Sequence, residues 1–235
     1  MPDKETSFVQ RIFSQVPATY ELVNHVLTLG LDMLWRRRAA RVAAAAGGSQ
    51  WADLCTGTGE TAACLARLAA RGTTVYAVDF SQPMLEEARR KAGAAGIAFV
   101  LSDISALPFP DESLDLITMS FATRNINASR AILVRRIAEF HRVLKRGGRL
   151  VSLETSQPPW PSIRTLRDLY VRLFVEFIGR RISGCRTAYA YLAKTIPRFY
   201  TAEELIEIIR EAGFQEATFQ RLLLGVAAIH QGVKQ

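Results

Sequence analysis

Two glycines and two threonines follow a short apolar run at residues 51–60, WADLCTGTGE. Glycines at this spacing let a ligand lie close against the backbone. No lysine follows them, so the triphosphate-binding pattern G-x-x-x-x-G-K-[ST] is poorly supported. The spacing Gly57-x-Gly59-x-x-Ala62 fits a dinucleotide loop, and Asp79 follows about 20 residues on, where a ribose-binding carboxylate is expected. The loop alone leaves the choice of nucleoside cofactor open.

Polar residues after the next two strand-like runs separate these alternatives. Asp103 closes the run FVLSD, where its carboxylate can accept a hydrogen bond from the exocyclic amine of a purine. The fourth run ends in MSFATRN, which contributes the Ser120 hydroxyl, an aromatic ring, Arg124 and Asn125. Such a set suits a nucleoside with an amino-acid tail better than a pyrophosphate. We therefore predict S-adenosylmethionine as the cofactor.

Each part of this cofactor has an expected partner. The backbone N–H groups of Gly57, Thr58 and Gly59 are predicted to hold the tail carboxylate, and Asp53 its ammonium group. Asp79 is predicted to bind the two ribose hydroxyls. For Asp79 and Asp103 the alternative is that they are solvated strand ends without a ligand.

The elements that must position these residues alternate along the chain. Strand-like runs and amphipathic helical runs follow one another from residue 51 to residue 155, which predicts a parallel sheet covered by helices, with ligands at the carboxyl ends of the strands. The predicted strands are 51–55, 73–80, 97–103, 113–122 and 149–155, and the predicted helices are 60–72, 82–96 and 130–148, the last closed by a glycine pair.

The remainder of the chain frames this core. We predict a single domain, 1–235. Pro17 and Gly30 divide its N-terminal helices, and Thr201 and Glu204 are predicted to form a capping box on its last helix. Its parts are an N-terminal helical lid at 1–48, a cofactor-binding core at 49–156, a helical insertion for the acceptor at 157–200, and a final helix with two closing antiparallel strands at 201–235.

Composition sets broad limits on function. Hydrophobic residues make up 49% of the 235 residues and charged residues 22%, with no apolar run long enough to span a membrane and no secretory signal, so a cytoplasmic protein is expected. Cys55, Cys64 and Cys185 lack metal-binding spacing, so no metal is predicted. The net charge of +8 fits either solvated helix faces or attraction to a polyanion, namely nucleic acid or anionic membrane headgroups.

Several segments resemble the bacterial ubiquinone/menaquinone biosynthesis C-methyltransferases, and the resemblance covers nearly the whole chain. The most specific are the Arg124-Asn125 pair, the N-terminal Y-x-x-x-N formed by Tyr20 and Asn24, and SG-x-R-x-AY-x-YL at 183–192. The others are FSQVPATYELVNHVLTLGLDMLWRRR, DLCTGTGE, VDFSQPML, DISALPFPDESLD, RVLKRGGRLVSLE and FYTAEELIEIIREAGF.

The resemblance implies an α/β, Rossmann-like class I methyltransferase fold. Its sheet would be seven-stranded and mostly parallel with an antiparallel last strand, preceded by N-terminal helices and carrying a helical insertion after the fifth strand. It implies S-adenosylmethionine as the cofactor and a prenylated benzo- or naphthoquinol as the substrate. The family's cofactor contacts fall on Thr58, Asp79, Asp103 with Ile104, and Ser120.

This chain departs from the family pattern at several positions. Two replacements keep a carboxylate, Glu21 and Glu60 for aspartate. Thr155 stands for a phenylalanine and Cys185 for an aspartate, both around the expected acceptor pocket, so the choice between the two quinols stays open. The other departures are Ala122-Thr123 for Gly-Leu and Ala193 for proline. Prenyl length and oligomeric state, a homodimer being one alternative, are open as well.

The expected chemistry places an electrophilic methyl group against an electron-rich ring. Arg124 and Asn125 are predicted to hold a ring oxygen, with Arg124 favouring the phenolate by its charge; a loop-capping ion pair is the alternative. The base would be water or a histidine such as His25, for which packing on a helix face is the alternative. Tyr20 and Asn24 are predicted as a lid, and Tyr189 as a lining of the acceptor path, against ordinary helix packing.

Other functions remain as alternatives. A different small aromatic or lipid acceptor is one, and a nucleic-acid methyltransferase is another, because QPPW at 157–160 resembles an amino-methylating turn; that turn would be expected after the fourth strand rather than the fifth. A non-enzymatic scaffold subunit of a quinone-synthesis assembly and a dehydrogenase rank lower. The apolar run LYVRLFVEFIG at 169–179, with its flanking arginines, is consistent with a prenyl-chain entrance and peripheral contact with a membrane surface.

Overall fold

The computed structural model describes residues 17–91, 96–183 and 186–235, apart from the side chains of 17–20, 176, 180, 183, 186–189 and 191. The strands within these ranges are β1 (Gln50–Leu54), β2 (Thr74–Asp79), β3 (Ile97–Leu101), β4 (Leu114–Ser120), β5 (Leu144–Thr155), β6 (Glu216–Leu222) and β7 (Ala227–Val233). The α-helices are α1 (Pro17–Thr28), α2 (Leu31–Ala44), α3 (Glu60–Leu68), α4 (Gln82–Arg90), α5 (Arg130–Val143), α6 (Pro161–Tyr170), α7 (Glu176–Ser183), α8 (Arg186–Thr195) and α9 (Ala202–Glu211).

The seven strands form one sheet in the order β3-β2-β1-β4-β5-β7-β6. Neighbours from β3 to β5 are parallel, whereas β7 runs antiparallel to both β5 and β6. The predicted fold class, including the closing antiparallel strands, is therefore confirmed. The chain order reverses between β1 and β4, and in such sheets ligands bind in the crevice outside the strand ends at that point.

Helices cover both faces of the sheet, which explains why its central strands are mostly apolar. On one face, Ile137 and Phe140 of α5 and Leu205 of α9 pack with Ile117 of β4. On the other, the small side chains of α2 and Leu65 of α3 pack against Leu116 and Val151. Burial on both faces holds the strand ends in register and so fixes the spacing of the residues that follow them.

The fifth helix ends earlier than the sequence predicts. We expected a helix over 130–148 closed by Gly147 and Gly148, but α5 ends at Val143, and Leu144 is extended with φ −72° and ψ 139°. Leu144 pairs with Leu114 of β4, so β5 begins there. The glycines form a turn inside β5: Gly147 has φ 76°, and a Cβ on Gly148 would lie 2.7 Å from the Lys145 carbonyl oxygen.

The helices outside the core lie before β1, between β5 and β6, and within the ranges described above. Gly30, at φ 78°, separates α1 from α2, and the capping box of Thr201 and Glu204 is present on α9. Pro17 begins α1, and the predicted helical segment before it lies outside the described residues. A π-helical turn, Val171–Val175, joins α6 to α7. Within the described ranges, no helix combines the length and apolarity needed to cross a membrane.

Candidate active site

The glycine loop turns the chain sharply from β1 onto α3. Cys55, Gly57 and Gly59 all have positive φ, at 52°, 56° and 82°. A Cβ on Gly59 would lie 3.0 Å from the Ala88 Cβ of α4, so this position requires glycine on steric as well as conformational grounds. The loop therefore brings backbone to the edge of the crevice at the end of β1.

Two of the three loop amides predicted to hold a carboxylate are already hydrogen bonded. Gly57 N–H donates to Asp79 Oδ2 at 2.8 Å, and Gly59 N–H donates to the Thr56 carbonyl at 3.0 Å. These bonds close the loop, so in this structure the Gly57 and Gly59 amides that were predicted to hold the tail carboxylate donate within the protein instead. Among the described residues, the Thr58 amide has no such partner.

Asp53 lies beneath the loop rather than in the crevice. It is only 1% exposed, and its carboxylate accepts from Thr56 Oγ1 at 2.6 Å and from Thr118 Oγ1 at 2.7 Å. Burial raises the pKa of Asp53 to about 6, against the lowering effect of both hydroxyls. The predicted contact with an ammonium group is thus not supported, because Asp53 supports the loop from behind.

Asp79 and Asp103 face the same cavity, which we name the strand-end cavity. Asp79 closes β2 and is nearly buried; it accepts from the N–H of Ser81 at 2.9 Å and from that of Gly57, and burial raises its pKa. Asp103 lies two residues beyond β3, is exposed, and accepts from Ser105 N–H at 2.8 Å. A carboxylate has about four lone-pair sites, so both retain acceptor capacity.

The remaining wall of the strand-end cavity includes an apolar side chain, Ile104, and the polar side chains of Ser120 and Asn125. Ile104 is buried beside Asp103, and Ser120 at the end of β4 accepts a hydrogen bond from Thr61 Oγ1 at 3.0 Å. Asn125 also lines the cavity, and its buried Oδ1 has no hydrogen-bond partner within the described part of the chain. An unpartnered buried acceptor is costly, so it indicates a ligand donor that completes the site.

Sequence reasoning missed several residues of this cavity, among them Arg36 of α2 and Arg136 of α5. The Arg36 side chain is 8% exposed, Nη1 donates to Thr61 Oγ1 at 3.1 Å, and the guanidinium lies 5.0 Å from the centre of the Phe121 ring. The two arginines that follow it, Arg37 and Arg38, are exposed. The helical spacing to the buried Ala39, Ala40 and Ala43 was the signal that set Arg36 apart.

Arg124 lines a second cavity, so the predicted sharing of one ring oxygen with Asn125 is not met in this structure. Arg124 is 7% exposed, and its Nη1 donates to Thr155 Oγ1 at 3.1 Å and lies 3.8 Å from Glu154 Oε1. Glu154 is fully buried and also accepts from the Thr155 hydroxyl at 3.0 Å. Arg124 therefore forms an ion pair, which was the alternative prediction, and it also lines a cavity in which it could hold a ligand oxygen. Its Nε is buried and unpartnered among the described residues.

The second cavity, named here the helical cavity, has a volume of about 530 Å³ and lies between α1, α2 and the insertion. Its few polar wall groups include Asn24, Arg124 and Thr155, and Phe121 belongs to the walls of both cavities. Most of its lining is apolar, including Leu27, Leu31, Trp35, Ile163, Leu166, Val171, Val175, Leu192, Ile196 and Val226. The two cavities therefore meet at one aromatic ring.

The remaining predicted residues divide between this cavity and the parts that are not described. Asn24 lines the helical cavity, but the side chains of Tyr20 and Tyr189 and the whole of Cys185 lie outside the described residues. Tyr170, which the sequence reasoning did not single out, lines the cavity and donates its hydroxyl to the Leu27 carbonyl at 2.7 Å. This bond ties the insertion to α1.

His25 does not line either cavity. Its Nδ1 lies 2.7 Å from Asp32 Oδ2 and its Nε2 lies 3.2 Å from Glu60 Oε1. These carboxylates occupy both ring nitrogens, so the structure does not support His25 as the base that meets the acceptor.

The QPPW segment packs as part of the scaffold. It follows β5, and Gln157 is buried, with Nε2 donating to the Pro197 carbonyl at 2.7 Å and Oε1 accepting from Arg167 at 2.5 Å. Its amide is thus used to hold the insertion against the sheet. Nothing in this arrangement presents the turn to the strand-end cavity.

The polar groups around the strand-end cavity match an adenosine carrying an amino-acid tail. Two acceptors stand at neighbouring strand ends, an apolar side chain lies beside the outer one, and hydroxyl, amide and guanidinium groups lie toward β4. This donor and acceptor set fits S-adenosylmethionine and offers no cradle for a pyrophosphate. Fold and site together define an S-adenosylmethionine-dependent class I methyltransferase.

Comparison with known proteins agrees with this class. A solved S-adenosylmethionine-dependent methyltransferase of Thermotoga maritima, described as a possible histamine N-methyltransferase, is similar with a TM-score of 0.60 and 20% identity, covering 97% of this chain and 100% of that one. A putative methyltransferase of Bacillus halodurans gives a TM-score of 0.54 at 22% identity, covering 79% of this chain and 71% of that one. At these identities the likeness shows the fold alone.

The sequence comparisons are more specific. The family described as the ubiE/COQ5 methyltransferase family matches residues 1–234, and the chain belongs to it. It is 37% identical to the ubiquinone/menaquinone biosynthesis C-methyltransferase UbiE of Desulfotalea psychrophila, over 96% of this chain and 90% of that one. It is 40% identical to the demethylmenaquinone methyltransferase of Thermus thermophilus, over 94% of this chain and 99% of that one.

Proposed function

We propose that the protein transfers a methyl group from S-adenosylmethionine to a ring carbon of a prenylated benzo- or naphthoquinol in quinone biosynthesis. The observation that carries this proposal is the helical cavity: it is large and mostly apolar, its wall holds two buried arginines, Arg124 and Arg167, and it shares Phe121 with the strand-end cavity. The names of the relatives support the same substrate class.

In the strand-end cavity, each proposed role follows from the chemistry of the wall. Asp79 accepts hydrogen bonds from the ribose hydroxyls, and Asp103 accepts one from the purine amine while Ile104 packs against the base. Thr58 and Ser120 contact the amino-acid tail. When bound, the cofactor supplies a methyl group made electrophilic by its sulfonium.

In the helical cavity, Arg124 holds the quinol oxygen. A charge-assisted contact from a buried guanidinium stabilises the phenolate over the neutral hydroxyl by about 1–3 kcal/mol, which raises the electron density of the ring carbons. Glu154 and Thr155 orient the guanidinium through the ion pair and the hydrogen bond described above. Arginine stays protonated, so the quinol proton leaves to water.

The prenyl chain occupies the apolar remainder of the helical cavity. Exposed leucines stand on its wall, among them Leu29 at 85% exposure, and Leu166, Leu223 and Leu224. A substrate with a long hydrocarbon tail resides in a bilayer, and a chain of net charge +8 is attracted to anionic headgroups. We therefore propose that these leucines contact a membrane surface peripherally, where the substrate is collected.

The substrate assignment is tested with labelled cofactor and matched acceptors. Reduced demethylated benzo- and naphthoquinols of equal prenyl length are incubated with the protein, and the label is located by degradation of the product. Label on a ring carbon is expected, with loss in Arg124→Met and no loss in Arg38→Met, whose side chain is exposed. Label that appears only in nucleic acid or in a different lipid would overturn the proposal.

The membrane contact needs a separate test. Sedimentation with vesicles of phosphatidylglycerol and phosphatidylcholine should retain more protein than vesicles of phosphatidylcholine alone. Leu223→Ser/Leu224→Ser should weaken retention, whereas Leu68→Ser, an exposed leucine of α3 outside the cavity wall, should not. If instead the double variant converts a homodimer to monomers in light scattering, a second copy of the chain covers this face and the proposal fails.

A further inference from the structure

The strand-end cavity holds a buried cation whose charge the roles given above do not use. Arg36 is more than nine-tenths buried, lines the cavity, and has an Nε without a hydrogen-bond partner in the described part of the chain. That Nε lies 3.2 Å from Glu60 Oε2, an ion-pair distance at an angle that makes no hydrogen bond. A buried guanidinium with unused donors indicates an anionic group that completes it.

The position of Arg36 within the cavity indicates which part of the cofactor it meets. Its contacts are Glu60, Thr61 and the Phe121 ring, which belong to the β1 and β4 side of the crevice. Asp79 and Asp103 lie on the opposite side, after β2 and β3. If the acidic pair binds the nucleoside, Arg36 stands at the end where the amino-acid tail lies.

The tail carboxylate otherwise has only neutral partners on this side. Two of the three loop amides are used to close the loop, through Gly57 to Asp79 and Gly59 to Thr56. The Thr58 amide and the Ser120 hydroxyl remain, and neither supplies a net charge. A buried carboxylate left with neutral donors alone would be unfavourable, because desolvating an anion costs more than such hydrogen bonds return.

We infer that Arg36 is a cofactor-binding residue whose guanidinium binds the carboxylate of the amino-acid tail. Glu60 and Thr61 act as positioning residues, since Glu60 forms an ion pair with the guanidinium and Thr61 accepts a hydrogen bond from Nη1. Glu60 in turn contacts His25 Nε2, so α1 is joined to the same residue. The donor site is thereby completed by the N-terminal helices, which lie outside the cofactor-binding core predicted from the sequence.

The inference is tested by comparing two ligands that differ only in the tail. S-adenosylhomocysteine carries the carboxylate and 5′-methylthioadenosine does not, so their affinities are measured by calorimetry on each variant. Arg36→Met should weaken S-adenosylhomocysteine binding roughly tenfold to a hundredfold, the range for losing one charge-assisted contact, and change methylthioadenosine binding by less than about twofold. The preference for the tailed ligand should collapse.

The controls separate this role from a structural one. Arg38→Met removes an exposed arginine of the same helix and should leave both affinities unchanged. Arg36→Lys keeps the charge but loses the paired N–H donors of the guanidinium, and it replaces Arg36→Met if that variant does not fold. It should weaken the binding of S-adenosylhomocysteine several-fold and leave that of methylthioadenosine unchanged. If the ratio of the two affinities stays at its unsubstituted value in the folded Arg36 variant, Arg36 does not bind the carboxylate. No acceptor is used, so the result is independent of the quinol proposal.

Discussion

The two cavities that meet at Phe121 are built in opposite ways. The strand-end cavity is polar, and its acidic groups stand on or just beyond strands whose register the sheet determines. The helical cavity is mostly apolar, and most of its walls come from α1, α2 and the insertion, which meet the rest of the domain through side-chain packing and a few hydrogen bonds. The comparison indicates that the sheet positions most of the cofactor-binding groups, whereas the added helices form most of the acceptor cavity. Substitutions in the two cavities should therefore separate cofactor affinity from turnover.

The largest effect is expected at Arg124, where a substitution should lower turnover without changing cofactor affinity. Arg124→Met leaves the fully buried Glu154 without its cation, which should lower the free energy of unfolding by about 3–5 kcal/mol. Turnover should fall about a hundredfold or more, while cofactor affinity stays within about twofold. Denaturant melts, kinetics and calorimetry measure the three quantities. Adding Glu154→Gln should restore stability but not turnover; restored turnover would contradict the role of Arg124.

A pH effect follows from the cost of burying Asp53. Its folded pKa is about 6 against a usual 3.8, so the folded state binds more protons between these values and stability falls as pH rises through them. The loss amounts to about 3 kcal/mol at most. Asp53→Asn lacks this dependence, so its stability relative to the unsubstituted protein should increase from pH 4 to pH 7. A pH-independent difference in denaturation midpoint would show that Asp53 is not desolvated.

Asp79→Asn is expected to have a smaller effect. The amide oxygen can still accept the Gly57 N–H, so the loop should stay closed, but one charged acceptor toward the ribose is lost. Affinity for S-adenosylhomocysteine should fall roughly tenfold to a hundredfold. Asp111→Asn, an exposed carboxylate paired with Arg142, serves as the control. Equal affinities for the two variants would remove Asp79 from the site.

The smallest effect is expected from Thr155, which tests the acceptor side alone. Thr155→Phe introduces the side chain of the family pattern, narrows the helical cavity and removes an acceptor from Arg124. It should lower kcat/KM several-fold for the naphthoquinol and less for the smaller benzoquinol, with cofactor affinity unchanged. Thr155→Val removes only the hydroxyl and separates the two causes. An equal loss for both quinols in Thr155→Phe would assign the effect to the hydrogen bond rather than to volume.

The sequence predicted those parts of the molecule whose structure depends on residues close together in the chain. Strand-like runs followed by Asp79 and Asp103 indicated both the sheet and the acidic pair, because side chains after parallel strands gather at one edge. The capping box of Thr201 and Glu204 is likewise a signal of four residues. Gly147 and Gly148 led to a wrong helix end because a glycine pair after basic residues is typical of a helix C-terminus. The pairing of Leu144 with β4 shows that the strand has already begun before them.

What escaped prediction depends on contacts between distant segments. Asp53 appeared available to a ligand until the strand register placed Thr118 opposite it. Arg124 and Asn125 are adjacent in sequence, and only the structure shows that they serve different cavities. Arg36 was distinguished from Arg37 and Arg38 only by its helical spacing to three alanines, and the structure shows that this face of α2 meets the sheet.

The left-handed backbone at Phe121, with φ 57°, has a consequence for how the two ligands interact. A residue other than glycine in this conformation is held there by its surroundings. Here the Arg36 guanidinium lies over the Phe121 ring, and the Trp35 ring lies near it, with centroids 6.4 Å apart. Because Phe121 lines both cavities, the cofactor and the acceptor both contact its ring. If occupancy of one cavity shifts the Phe121 ring, it changes the affinity of the other cavity, and thermodynamic reciprocity requires the factor to be the same in both directions.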